Sequence, residues 1–155
     1  MIYLQQRKYP EHIDKNSKRL YWGTPIAHPA LMIKTDILKK YRYSITTFSN
    51  EDIDLWFRLL SDGYVIENIP EPLVNFRITD NTFKRRNYKK ALYELKVYLT
   101  NLIKLHGFSL LLLYPLMRFI SRLLPMYMMK KIYFSKARIR MLNAGCSELH
   151  IIKRF

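Results

Sequence analysis

Two carboxylates stand side by side in the run Ser49-Asn50-Glu51-Asp52-Ile53-Asp54-Leu55-Trp56-Phe57-Arg58-Leu59-Leu60. An ionised carboxylate at the mouth of a cleft can take a proton from a hydroxyl group, which makes Glu51 and Asp52 candidates for acid–base chemistry. The same run is also a good helix start. Ser49 or Asn50 can cap it, and Glu51 and Asp52 fall in the first turn, where free backbone N–H groups favour anions. Ile53, Trp56, Phe57 and Leu60 then recur at helical spacing, Asp54 and Arg58 form an i,i+4 pair, and Gly63 is a natural stop. A purely structural role as first-turn residues therefore stands beside the catalytic one.

The elements around this helix must position its first turn. Residues 1–24 are polar and mixed, and read as a loop or a short helix around residues 10–20 leading into it. Residues 25–34 are apolar and bounded by Gly23-Thr24, which predicts a short strand interrupted near Pro29. Thr35 or Asp36 can cap a short helix over residues 37–41. Beyond Gly63, residues 64–69 and 72–78 read as two short strands separated by Pro70-Glu71-Pro72. A long helix follows over residues 81–106, with Ala91, Leu92, Leu95, Tyr98, Leu99, Leu102 and Ile103 along one face and Gly107 at its end. The expected class is α/β, with few short strands, a helix carrying the paired acids, and long basic and apolar helices behind. Residues 1–80, 81–145 and 146–155 divide as a catalytic part, a basic helical part and a tail.

Charge separates the first two parts. Residues 1–80 hold 11 Lys and Arg against 10 Asp and Glu, whereas residues 81–155 hold 16 against 2, the acids being Glu94 and Glu148. Such a cationic half implies an anionic partner, either a membrane surface or a nucleic acid. Its aromatic residues fall in the apolar stripe rather than among the basic ones, which disfavours nucleic acid. The single cysteine, Cys146, excludes an intramolecular disulfide and a cysteine-rich metal site, consistent with a reducing, cytoplasmic setting. The first eight residues lack the apolar core of a secretory signal.

Residues 108–129 (FSLLLLYPLMRFISRLLPMYMM) are the most apolar stretch. A membrane span needs roughly 20 apolar residues. Arg118 and Arg122, one turn apart, would each cost about 2.5 kcal/mol or more at mid-bilayer. A helix lying in the interface, arginines in water and Leu/Phe/Met in lipid, avoids that cost. Lys130, Lys131, Lys136, Arg138 and Arg140 would then meet anionic headgroups, at roughly 1 kcal/mol each. The other soluble solution is a hairpin in which residues 108–129 pack on the preceding helix.

Four stretches in order resemble family-2 glycosyltransferases of the GT-A fold: His28-Pro29-Ala30-Leu31-Met32-Ile33, then Glu51-Asp52-Ile53-Asp54-Leu55-Trp56-Phe57-Arg58-Leu59, then Gly63-Tyr64, then Asn68-Ile69-Pro70-Glu71-Pro72-Leu73-Val74-Asn75-Phe76-Arg77. The resemblance covers about residues 20–80. It implies transfer of a sugar from a nucleotide-sugar donor to a lipid-linked saccharide acceptor in cell-surface polysaccharide synthesis, with inversion. Asp52 matches the family's general base and Glu51 its neighbouring acid. Of the substrate-binding candidates, Trp56 reads equally as core or sugar platform and Arg58 as a partner of Asp54. His28 reads as acceptor-site or structural, and Arg77 as a ligand of diphosphate or lipid phosphate or a plain hairpin residue.

The resemblance also implies Mg or Mn, but no ligand set for it is recognisable, because Asp52-x-Asp54 falls in the base motif. The family's nucleotide-binding half does not precede residue 1, so the chain is expected to be a fragment that is inactive alone. Its expected location is peripheral, at the cytoplasmic face of the cell membrane. The alternative is a non-enzymatic basic module binding membrane or nucleic acid.

Overall fold

Apolar residues fill most positions of the helix that carries the paired acids, and the chain folds so as to bury both of its sides. The computed structural model describes residues 8–45, 49–71, 73–74 and 88–143. In chain order these form β1 (His12–Ile13), 3-10 turns at Lys18–Trp22 and His28–Ala30, α1 (Thr35–Tyr41), α2 (Glu51–Ser61) and β2 (Ile66–Glu67). There follow α3 (Tyr88–His106), a 3-10 turn at Leu110–Leu112, α4 (Leu113–Leu123), α5 (Met126–Tyr133) and α6 (Lys136–Asn143). Among the described residues the architecture is helical with one small antiparallel sheet, in keeping with an α/β or α+β class.

Helix α2 divides the core. Ile53, Phe57 and Leu60 join Ile13, Leu20, Tyr21, Tyr98 and Leu102 on one side. Leu55, Trp56 and Leu59 join Ile26 on the other, with partly buried residues of α1 packed against them. The helix stops as expected. Gly63, at φ 85°, donates to the Leu60 carbonyl and Tyr64 donates to that of Leu59, a paired closure that needs a left-handed residue at position 63.

Residues 25–34 are not a strand. They form the turn at His28–Ala30, with Pro29 inside it. Pro25 and Pro29 have no N–H to give to a ladder, so the apolar side chains pack without one; Ile26 is buried, and Leu31 and Ile33 lie against the second cluster. The strand expected over 64–69 shrinks to Ile66–Glu67. It pairs with His12–Ile13, in a segment read as loop or helix, in the register His12 to Glu67 and Ile13 to Ile66. Asn68 fixes this corner: its backbone N–H donates to the Glu11 carbonyl at 2.8 Å, and its side chain to those of Pro10 at 2.7 Å and Pro25 at 3.1 Å. Of the second expected strand, Leu73 and Val74 carry no regular structure and the rest of residues 72–78 lies outside the described residues.

Helix α3 is described from Tyr88, and its buried face is Ala91, Glu94, Leu95, Tyr98 and Leu102. Leu92, assigned to that face from the periodicity, is exposed, and an acid is buried instead. The cause is α4. Residues 108–129 do not form one continuous helix; α4 ends at Leu123, and Pro125 caps the separate helix α5. Helix α4 packs against α3 as the second arm of a hairpin and turns its arginines inward, not toward water. Arg118 Nη2 lies 2.8 Å from Glu94 Oε1, and Arg122 bonds Glu94 Oε2. Among the described residues no helix is long and apolar enough to cross a membrane.

The hairpin meets the core through Tyr98. The Arg118 guanidinium lies 5.3 Å from the centre of the Tyr98 ring, and that ring packs edge-on against Phe57 of α2 at 5.6 Å. Desolvation pulls the Arg118 guanidinium down, but Glu94 and Tyr98 hold it above its ordinary value. Gly23, at φ 135°, makes room for it, since a Cβ there would sit 2.7 Å from Arg118 Nη1. Farther along α3, His106 Nε2 donates to the Lys15 carbonyl at 2.6 Å, which in the neutral ring leaves Nδ1 to accept from the Tyr21 hydroxyl at 3.0 Å.

Removing the acid leaves two cations facing each other in a poorly solvated site. Glu94→Gln is expected to lower stability by about 3 kcal/mol, read as a shift of the urea midpoint at unchanged slope.

Candidate functional site

The end of α2 that carries the paired acids is an open helix terminus. Asn50 holds the capping position in the left-handed conformation, φ 66° and ψ 33°, without a side-chain bond to the helix. Its amide donates instead to Ser49 Oγ at 3.0 Å, so the expected side-chain cap is not made, and the Asn50 carbonyl accepts the first helical bond from Asp54 N–H at 3.2 Å. Glu51 is exposed and Asp52 half-buried. Asp52 therefore sits where the core meets solvent, held by a helix anchored on both sides yet open to a solute. A carboxylate so placed can accept a hydrogen bond from a hydroxyl and then its proton.

One turn along from Asp52 lies Trp56, 2% exposed. It offers no open face as a platform; its indole belongs to the second apolar cluster. Its ring centre is 6.0 Å from that of His28, which is exposed and in turn 6.1 Å from Tyr43, edge-on. His28 and Trp56, far apart in sequence, are thus brought together beside the helix that holds Asp52. Tyr43 was not singled out from the sequence. It lies between two helices, where no periodicity marks it, and only its contact with His28 reveals it.

Arg58 has another employment. Its Nε donates to Asp54 Oδ2 at 2.9 Å, Nη1 to the Tyr41 carbonyl at 2.6 Å and Nη2 to the Arg42 carbonyl at 2.7 Å. The guanidinium thereby closes the C-terminal end of α1, where Arg42 has a positive φ of 46°. Tyr41 is held from its other end, its hydroxyl 2.5 Å from Asp62 Oδ2, and this hydrogen bond to a carboxylate pushes the phenol well above its usual range. Arg77 lies outside the described residues.

Two small concavities lie away from this site. One is lined by Tyr9, Arg19, Trp22 and Thr24; the other surrounds Glu94 between α3 and α4. Among the described residues no three His, Cys, Asp or Glu side chains come together to hold a metal ion.

The chain is 35% identical over 102 residues to the O-antigen biosynthesis glycosyltransferase WbnJ of Escherichia coli, a match covering 63% of this chain and 40% of that protein. It is 33% identical over 104 residues to an uncharacterized glycosyltransferase of Methanocaldococcus jannaschii, covering 66% of this chain and 34% of the relative. Against the amylovoran biosynthesis glycosyltransferase AmsE of Erwinia amylovora it is 35% identical over 85 residues, 54% of this chain and 32% of the relative. The chain thus spans about a third to two fifths of the length of these curated relatives. No family model and no solved structure matches it.

The forked contact of Arg58 needs a planar guanidinium, which an ammonium group does not reproduce. Arg58→Lys is expected to cost about 1–2 kcal/mol, discounted for partial exposure, and to lower the midpoint of thermal unfolding followed by circular dichroism.

Proposed function

We propose that this chain supplies the acceptor side of an inverting glycosyltransferase of family 2 and the GT-A fold. The observation that carries the reading is its 33–35% identity to proteins named glycosyltransferases, two of them named for the biosynthesis of O-antigen and of amylovoran. The geometry of α2 supports it, since Asp52 stands half-buried at an open helix end.

In the proposed step an acceptor hydroxyl attacks the anomeric carbon of a nucleotide sugar. Its oxygen forms the new glycosidic bond, the bond from that carbon to the nucleotide diphosphate breaks, and the proton passes to the Asp52 carboxylate. In-line attack inverts the anomeric centre. Glu51, exposed next to the base, orients the acceptor or the base. His28, flanked by Trp56 and Tyr43, borders the acceptor, with Trp56 acting from beneath by fixing the histidine ring. Arg58 acts at one remove, by fixing α1 against the helix of the base. Arg77 is assigned to diphosphate or lipid-phosphate oxygens on the resemblance alone. The acceptor in this reading is a lipid-linked saccharide at the cytoplasmic face of a membrane.

The test is a chimera in which this chain replaces the matching stretch of Escherichia coli WbnJ, assayed for sugar transfer from nucleotide-sugar donors. Asp52→Asn is nearly isosteric and is expected to cut transfer at least ~100-fold with the fold retained by circular dichroism. Undiminished transfer by that variant would overturn the assignment of the base.

A further inference from the structure

Helix α4 shows its apolar residues to water and hides its charges. Leu113 is 56% exposed, Met117 64%, Ile120 57% and Leu123 53%. These recur at helical spacing on the side away from Arg118 and Arg122, which are committed to Glu94. On α5, Tyr127 is 75% exposed and Lys131, one turn later, is exposed as well. An apolar ridge of this length on a folded surface marks something that covers it.

The charges around the ridge say what kind of surface that is. Between residues 88 and 143 the sole acid is Glu94, 6% exposed and paired with two arginines, so the charge this segment presents outward is cationic. We propose that the outward side of α4 and the start of α5 docks on an anionic lipid bilayer. The ridge enters the boundary between headgroups and acyl chains, Tyr127 sits at the interface, and exposed cations such as Lys131, Lys136 and Arg140 meet the headgroups. Arg118 and Arg122 are not headgroup ligands. They are the internal struts that turn the ridge outward.

Other occupants fit less well. A second copy would bring together two regions that each carry 16 basic residues against 2 acidic ones, and like charge opposes that. A nucleic acid would satisfy the cations and leave the ridge in water. The proposal deepens the membrane placement in the functional reading above, but it stands on α4 and does not depend on Asp52.

The full chain is floated with vesicles of phosphatidylcholine alone and of phosphatidylcholine mixed with phosphatidylglycerol. Partition into the mixed vesicles is expected, weaker in the neutral ones and weakened by salt. Met117→Glu combined with Ile120→Glu changes only exposed positions and is expected to reduce partition roughly tenfold or more, with helicity retained by circular dichroism. A Tyr127→Trp variant gives an independent reading, since its added emission should shift to the blue on mixing with anionic vesicles.

Three results overturn the proposal: no partition into either vesicle, partition indifferent to Met117→Glu with Ile120→Glu, or a dimer in sedimentation equilibrium that this double substitution dissolves. Asp52→Asn leaves partition unchanged if the two readings are independent. Lost transfer with intact partition then counts only against the base, and lost partition with intact transfer only against the docking face.

Discussion

A carboxylate buried to 6% exposure must be matched by cations, and Glu94 is matched by two arginines from a helix that returns along α3. An unmatched charge in that position would be costly, so the pairing decides how α4 sits and which of its sides faces the interior. From the pair the constraint passes inward. Arg118 lies over Tyr98, Tyr98 meets Phe57 edge-on, and Phe57 is part of the helix that carries Glu51 and Asp52. The charged hairpin and the candidate base are thus linked by direct packing. Gly23 completes the link, because its missing side chain is the space that Arg118 occupies.

The same logic explains how firmly α2 is held. Six of its eleven residues are buried, shared between two apolar clusters on opposite sides, so the helix has little freedom to tilt or slide. At its first turn Glu51 is exposed and Asp52 half-buried, while Ile53 is already in the core. A carboxylate on such a support keeps its position. His28, in a 3-10 turn, and Tyr43, on irregular chain, stand near the same helix.

Local signals in the sequence were enough for α1, α2, most of α3 and the stop at Gly63. Each rests on periodicity or on a residue whose backbone freedom the turn demands. What failed was decided by the prolines of one stretch or at a distance. The apolar run at 25–34 has strand-like composition, but its prolines deny it a ladder, and the partner that β2 does find, His12–Ile13, lies in a polar segment with no strand pattern. The arginine stripe on α4 was legible as a stripe. Its direction was not, because it depends on one acid in another helix, and a periodicity count places Leu92 rather than Glu94 on the inner face. At the site the paired acids were visible as a helix start, whereas the meeting of His28 with Trp56 and Tyr43 exists only in three dimensions.

The grip of Arg58 on the carbonyls of Tyr41 and Arg42 has a consequence for how this fold can diversify. The chain leaves α1 and enters α2 at two points tied to one side chain, so the connection between them is bracketed by a fixed frame. Residues inserted there need not disturb either helix, and closing a loop of twice the length costs only about 0.6 kcal/mol. Tyr43 stands on that connection, beside His28. Lengthening or shortening it would therefore move Tyr43 relative to His28 while the helix of the paired acids stays in register.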